Sequence, residues 1–93
     1  MPAISGQTTV AVPGSAVTLG TAAANGPLLV KALDGNSGVV AIGNDGANDV
    51  SLSSGLRLAA GEALVFDFVG CLASLWLDAA VAGEGVSWIL LSV

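Results

Sequence analysis

Glycine interrupts this sequence at short intervals along its whole length. Thirteen glycines are spread over 93 residues, and glycine is unfavourable inside a helix, so few segments are long enough to form one. Between the glycines lie short apolar or β-branched runs, bounded by Asn, Asp and Pro as well as Gly. Such runs are typical of strands joined by tight turns. The sequence therefore predicts an all-β chain.

These runs predict eight strands. Many short strands with frequent turns indicate a small antiparallel β-sandwich or a jelly-roll-like barrel. A short helix is the alternative for the last run, VSWILLSV, but its β-branched residues favour a strand. The predicted strands span residues 7–12, 15–19, 28–33, 39–43, 56–58, 62–68, 75–79 and 86–93.

A single domain is expected from the length, and its first 27 residues differ from the rest. Residues 1–27 carry no charged side chain and are rich in Ala, Thr, Ser, Gly and Val, so they offer little bulk for a core. We expect them to form either an extended arm that docks on a neighbouring copy or edge strands, and the composition does not choose between the two. Residues 28–93 are expected to form the β-sandwich itself.

The chain holds more apolar surface than one small core can hide. Hydrophobic residues make up 54% and charged residues 10% of the sequence, whereas ordinary domains have about 25% charged residues. A membrane span is not expected, because the best candidate, residues 63–82, contains Asp67, Gly70 and Asp78. The start, MPAISGQTTV, has neither the basic nor the apolar part of a signal peptide. Burial against a protein partner is the remaining explanation.

The charge limits the classes of partner further, and the cysteine content limits the disulfide chemistry. The net charge is −5, and Lys31 and Arg57 are the only cationic side chains in the sequence. Nucleic-acid binding depends on clustered cations, so no nucleic-acid partner is expected. A single cysteine, Cys71, excludes an internal disulfide. Its apolar neighbours, FVGCLASLW, predict a small buried side chain rather than a reactive thiol.

The stretch VKALDGNSGVVAIGNDGANDV, residues 30–50, concentrates the Asp, Asn and Gly residues. Asp45, Asn48 and Asp49 could donate oxygens to calcium, but the spacing is not that of an EF-hand loop, so calcium binding by residues 44–49 stays open. The preferred interpretation is turn chemistry, with DGNSG closing a hairpin between two strands. The sequence has no His and no Tyr, so no Ser–His–Asp or Cys–His pair can be assembled. We expect no catalytic residue, no cofactor and no metal.

The last predicted strand is apolar on both faces. Val86, Trp88 and Leu90 share one face, and Ile89 and Leu91 lie on the other. A strand that is apolar on both sides is covered on both sides, here by the opposing sheet and by a neighbouring subunit. For Trp76 and Trp88, ordinary core packing is preferred over an interface. The interface to another subunit or to a shell is predicted to include Val86, Trp88, Ile89, Leu91 and Val93.

Four segments together resemble the small structural proteins of tailed bacteriophages. The resemblance covers about residues 28–93 and is carried by turn and core positions. It implies a fold type and a role rather than a catalytic site. The matching segments are VKALDGNSGVVAIG (30–43), LAAGE (58–62), LWLDA (75–79) and VSWIL (86–90).

The resemblance implies a non-enzymatic virion protein of the decoration (cement) type, assembled in the host cytoplasm and placed on the capsid exterior. Such a protein is expected to bind the phage major capsid protein, commonly as a homotrimer, and to stabilise the head. The sequence ends at its last predicted strand, which favours a decoration protein over a head fibre. The alternative is a tail, vertex or head-fibre component that binds carbohydrate or a host surface, for which Trp76 beside Asp78 is the one hint.

Overall fold

A computed structural model describes residues 3–44, 50 and 55–92. In these residues the chain forms short strands and a single turn of 3-10 helix at Leu72–Ser74. The strands are β1 (Ile4–Thr9), β2 (Val17–Thr18), β3 (Ala23–Ala24), β4 (Leu28–Ala32), β5 (Val40–Gly43), β6 (Leu56–Leu58), β7 (Ala63–Phe66), β8 (Gly70–Cys71), β9 (Trp76–Ala79) and β10 (Gly85–Leu90).

The strands form two four-stranded antiparallel sheets. The first sheet has the order β1-β10-β4-β7 and the second has the order β2-β9-β5-β6, while β3 and β8 form a two-stranded ribbon. The pairing is nested: β5 pairs with β6, β4 with β7, β3 with β8, β2 with β9 and β1 with β10. One long hairpin wound so that successive pairs fall into opposite sheets is a jelly roll. The predicted all-β sandwich with jelly-roll-like character is confirmed.

The core lies between the two sheets and follows the alternation of the strands. On β4, Leu28, Val30 and Ala32 are fully buried, whereas the intervening Leu29 is exposed. The second sheet contributes Ile42 and other buried side chains to the same cluster. Each fully buried Leu or Val stabilises the fold by about 1.5–3 kcal/mol relative to an exposed position. The buried cluster comprises Val10, Leu19, Ala24, Leu28, Val30, Ala32, Val40, Ile42, Leu58, Leu72, Leu77, Ala79, Val86 and Leu90.

All eight predicted strands overlap an observed strand, but their ends differ. The first was predicted at residues 7–12 and lies three residues earlier, because the chain turns after Val10, with Ser15 N–H bonded to Val12 O. The last ends at Leu90 rather than at residue 93, and it is a strand, so the helical alternative is wrong. The ribbon strands β3 and β8 were not predicted, since two residues carry no periodicity.

Residues 4–24 are built into the sandwich. β1 forms one edge of the first sheet, β2 forms one edge of the second, and β3 pairs with β8. This segment also buries three apolar side chains in the common core, namely Val10, Leu19 and Ala24. Residues 4–24 therefore contribute to the common core as well as to the edges of the two sheets.

The DGNSG segment is a corner and not a hairpin, so that part of the prediction is wrong. β4 and β5, which it joins, belong to different sheets and do not pair. A turn is present, with Asn36 N–H bonded to Leu33 O at 3.0 Å. The Asn36 side chain is buried, and its amide donates to Gly85 O at 2.9 Å and accepts from Gly85 N–H at 3.4 Å. These bonds fasten the corner to the start of β10.

Candidate interaction surface

An apolar row crosses the outer face of the first sheet, the face turned away from the core. Ile89, Leu29 and Val65 lie opposite one another on β10, β4 and β7. They are 39%, 38% and 66% exposed, and Leu91, just past β10, is 54% exposed. We call Leu29, Val65, Ile89 and Leu91 the outer patch. Clustered exposure of large aliphatic side chains is typical of an interaction surface, whereas scattered exposure is ordinary.

The outer patch is ridged rather than flat. Leu29 and Ile89 separate two shallow depressions of about 230 and 150 Å³. The larger depression continues to Pro27, and the smaller one borders Lys31, whose ammonium lies 3.3 Å from a carboxylate oxygen of Asp34. An apolar ridge flanked by depressions, with charge only at its margin, fits an apolar protein surface better than a charged ligand.

The residues predicted as an interface divide between the two faces of β10. Val86 is fully buried in the core, so its assignment to an interface is wrong: both flanking strands and the opposing sheet already cover it. Trp88 is half-buried, packs against the core and donates its Nε1–H to Thr8 Oγ1 at 3.2 Å. Ile89 and Leu91 are exposed in the outer patch, and Val93 lies outside the described residues.

Leu29 and Val65 belong to the outer patch but were absent from the predicted interface. The signal was available, because LLVKA and ALVF each place an aliphatic side chain between two inward-facing ones. What the sequence does not reveal is the register that sets these side chains beside Ile89. That register depends on β10 entering between β1 and β4, which is a long-range feature.

The hint of a carbohydrate site at Trp76 and Asp78 is weakened by the geometry. Trp76 is half-buried on β9, and it borders a small space lined by the core residues Val30 and Ile42. Asp78 is only 4% exposed. Its carboxylate accepts from Gly14 N–H at 3.0 and 3.2 Å and from Ala79 N–H at 2.9 Å. Asp78 therefore anchors the loop between β1 and β2 and is not presented to a sugar.

Cys71 is half-buried on β8 rather than fully buried as predicted. Its Sγ lies 3.8 Å from the carbonyl oxygen of Thr21, which precedes β3. The ribbon has only two strands and lies outside the two main sheets, so it cannot cover the side chain completely. The cysteine is thus part of a small structural element.

No group of three or more potential metal ligands among His, Cys, Asp and Glu is found in the described part of the chain. The side-chain amide of Asn36, in the same Asx-rich stretch, is bonded to the backbone of Gly85. Asp45, Asn48 and Asp49, on which the calcium hypothesis depends, lie outside the described residues. In the same described ranges, no helix is long and apolar enough to cross a membrane.

The side chain of Glu84, just before β10, also binds the corner between β4 and β5. Its carboxylate accepts from Ser37 N–H at 2.7 Å, from Gly38 N–H at 3.0 Å and from Ser37 Oγ at 3.0 Å. The backbone bonds from Ser37 and then Gly38 hold the pKa of Glu84 below its usual value, because they favour the ionised form. The corner is therefore fixed by a carboxylate and, through Asn36, by an amide.

We expect Glu84→Gln to lower the melting temperature at about pH 7 and to matter less at about pH 3. The pKa of Glu84 is lower in the folded chain than its reference value of 4.5, so its stabilising contribution is present above pH 4.5 and is lost as the pH falls through the folded pKa. Circular-dichroism melts across this range measure the effect. Asp67→Asn, which removes one exposed charge, is the matched control. An equal deficit at both pH values would contradict the assignment.

Comparison with known proteins gives no relative. No protein-family model, no curated protein and no solved structure matches this chain. Its function has to be inferred from its own residues and geometry.

Proposed function

We propose that this chain is a non-enzymatic structural protein of a tailed-phage virion, a decoration protein that binds the outside of the capsid as a homotrimer and stabilises the head. The observation that carries the proposal is the outer patch. It leaves an aliphatic surface exposed on one folded copy, in a chain with few charges. The resemblance of residues 28–93 to phage decoration proteins supplies the class of partner, namely the major capsid protein.

The energetics support such a role. Apolar surface removed from water contributes about 25 cal/mol per Å², from which the cost of association is subtracted. A single small patch gives a weak contact, since stable interfaces bury about 800 Å² per partner. A decoration protein meets its own copies and the shell together, so several weak contacts add in one lattice. An aliphatic patch on a rigid sandwich suits that arrangement.

The direct test is to purify intact particles of the phage that encodes this chain on a density gradient. The amount of this 9.0 kDa chain is then measured against the major capsid protein. We expect a near-stoichiometric ratio, which corresponds to binding across the whole capsid lattice. Complete absence of the chain from the particles would remove the virion proposal.

The second candidate is a tail, vertex or head-fibre component that binds carbohydrate or a host surface. Trp76, half-buried on β9, is the observation in its favour, because exposed aromatic faces stack on sugars. A ratio of a few per cent in the same particles would favour a vertex or tail position. Binding to a glycan array that is lost in Trp76→Ala would establish the sugar-binding activity.

We expect Ile89→Asp to shift the native mass of the protein from an oligomer to a monomer. Ile89 lies in the middle of the outer patch, and its side chain faces away from the core. A carboxylate there cannot be buried against an apolar partner without a large desolvation cost. Multi-angle light scattering on purified protein measures the change.

Val12→Asp is the control for Ile89→Asp. Val12 is 60% exposed in the loop between β1 and β2 and is not part of the outer patch. The Val12→Asp substitution introduces the same charge at another exposed aliphatic position. The native mass of this variant should remain that of the wild type. An unchanged native mass in Ile89→Asp as well would exclude the last strand from the interface.

A further inference from the structure

The first sheet ends in two open edges. β1 is its outermost strand on one side and β7 on the other, and no other strand of the described ranges pairs with their outer sides. A free edge presents a row of unpaired N–H and C=O groups to any strand that can reach it. The question is which groups point outward and what could pair with them.

Alternation of the ladder identifies the outward groups of β1. Val10 N–H donates to Glu84 O at 2.9 Å, in line with the register that sets Thr8 opposite Val86. Bonds of an antiparallel pair fall on alternate residues, so the even-numbered residues of β1 bond to β10. The backbone N–H and C=O groups of Ser5, Gln7 and Thr9 therefore point away from the sheet.

The same argument identifies the outward groups of β7. Ala32 N–H donates to Glu62 O at 2.8 Å, and the register sets Val30 opposite Leu64. The even-numbered residues of β7 thus bond to β4. The backbone groups of Ala63 and Val65 point to the open side of the sheet.

The residues within these two edge strands give no protection against pairing. β1 is six residues long and contains no charge and no proline, and β7 has four residues without either. The edges of the second sheet differ, because β2 has two residues, and β6 has three and includes Arg57. Charges, prolines and short length are the means by which edges are blocked. The first sheet is the one left open to strand addition.

We propose that copies of this chain join edge to edge, with β1 of one copy pairing with β7 of the next. The partner is a second copy, because each copy offers two complementary edges. The four strands alternate in direction, so β1 and β7 run in opposite directions, and the next copy in line presents an antiparallel partner. Such head-to-tail contacts form a ring when the rotation between copies closes, as it does in a homotrimer, and an open filament when it does not. The inference depends on one part of the proposed function, namely that copies of the chain associate.

This pairing also accounts for the position of the outer patch. Val65 is its most exposed member and lies on the edge strand, where a neighbouring β1 would cover it. In a ring that keeps the bulky second sheets on the outside, the outer faces of the first sheets turn toward the ring axis. Outer patches of successive copies then face one another across that axis and shield one another from water.

The test replaces one outward N–H and leaves the inward bonds intact. Gln7→Pro removes the outward donor of β1, and proline is tolerated on an edge strand. Gln7→Ala removes the same side chain but keeps the N–H. On light scattering with the full chain we expect Gln7→Ala to keep the wild-type oligomer and Gln7→Pro to fall to one 9.0 kDa copy.

The opposite edge is tested in the same way. Ala63→Pro is expected to dissociate the oligomer and Ala63→Ser to retain it, with circular dichroism confirming that each variant is folded. If Gln7→Pro dissociates the oligomer and Ala63→Pro does not, the pairing of β1 with β7 is overturned. The copies would then pair through β1 of one copy and β1 of the next. An oligomer that survives both proline variants overturns edge pairing but leaves the proposed homotrimer standing. A wild-type chain that is monomeric overturns both.

Amide exchange gives a readout that needs no variant. In the wild-type oligomer the N–H groups of Ser5, Gln7 and Val65 are expected to exchange as slowly as those of Gly6 and Leu64, which bond within the copy. Fast exchange at the three outward groups, beside slow exchange at their neighbours, would overturn the proposal even if every proline variant failed to fold.

Discussion

Gly85→Ala is expected to destabilise the fold by about 3 kcal/mol or more, at the upper end of what overpacking costs. A Cβ on Gly85 would overlap Thr8 O and would lie 2.7 Å from Thr9 Cα, so β1 and β10 would have to separate. Backbone atoms cannot move aside as a flexible side chain can. In a domain of this size the melting temperature should fall by about 12 to 24 °C, measured by circular dichroism or calorimetry.

Gly35→Ala is the matched control for this substitution. A Cβ at Gly35 meets no atom within 4 Å, and Gly35 does not have a positive φ. The same change of Gly to Ala should therefore alter the free energy of unfolding by no more than about 0.5 kcal/mol, as surface substitutions do. Equal effects at the two glycines would show that close packing of β1 on β10 is not what Gly85 provides.

Leu28→Ala is expected to cost about 2 to 5 kcal/mol, the range for a large-to-small change in a core. Leu28 is fully buried between the sheets and lies opposite Leu90 and Phe66 in the register of the first sheet. The small domain has few ways to collapse around the cavity. Urea unfolding should show a lower midpoint with an unchanged slope.

Leu29→Ala separates stability from association. Leu29 is the next residue on β4, but its side chain lies in the outer patch and not in the core. We expect the free energy of unfolding of the monomer to change by less than about 1 kcal/mol, whereas the oligomer should weaken. A monomer destabilised as strongly as by Leu28→Ala would mean that the outer face is already buried within one copy.

Local sequence signals were enough to predict the fold class. Glycine spacing and apolar runs located each of the main strands, because turns and strands depend on neighbouring residues. Alternation on the last strand also placed Ile89 and Leu91 on one face and Val86, Trp88 and Leu90 on the other. On β7, Leu64 and Phe66 are half-buried and alternate with the exposed Val65, and β7 ends at Phe66, before the exposed Phe68.

Long-range features could not be predicted in the same way. DGNSG has the length of a hairpin loop, yet it turns a corner, because β4 pairs with β10 and β7 rather than with β5. Val86 was assigned to an interface since a two-faced apolar strand does not reveal which face is covered by its own chain. Asn36 and Glu84 join this corner to the start of β10 by contacts that span more than 40 residues of sequence.

The nested pairing also governs how this chain can fold during synthesis. β5 and β6 are close in sequence, but the outermost pair brings Thr8 and Trp88 together across 80 residues. Long-range pairings of this kind make all-β domains slow, with folding in about milliseconds to seconds. Because β10 lies between β1 and β4, these two strands share no partner until residues 85–90 have left the ribosome. Until then β1 and β4 lack the strand that joins them and are vulnerable to aggregation, so the emergence of β10 completes the first sheet.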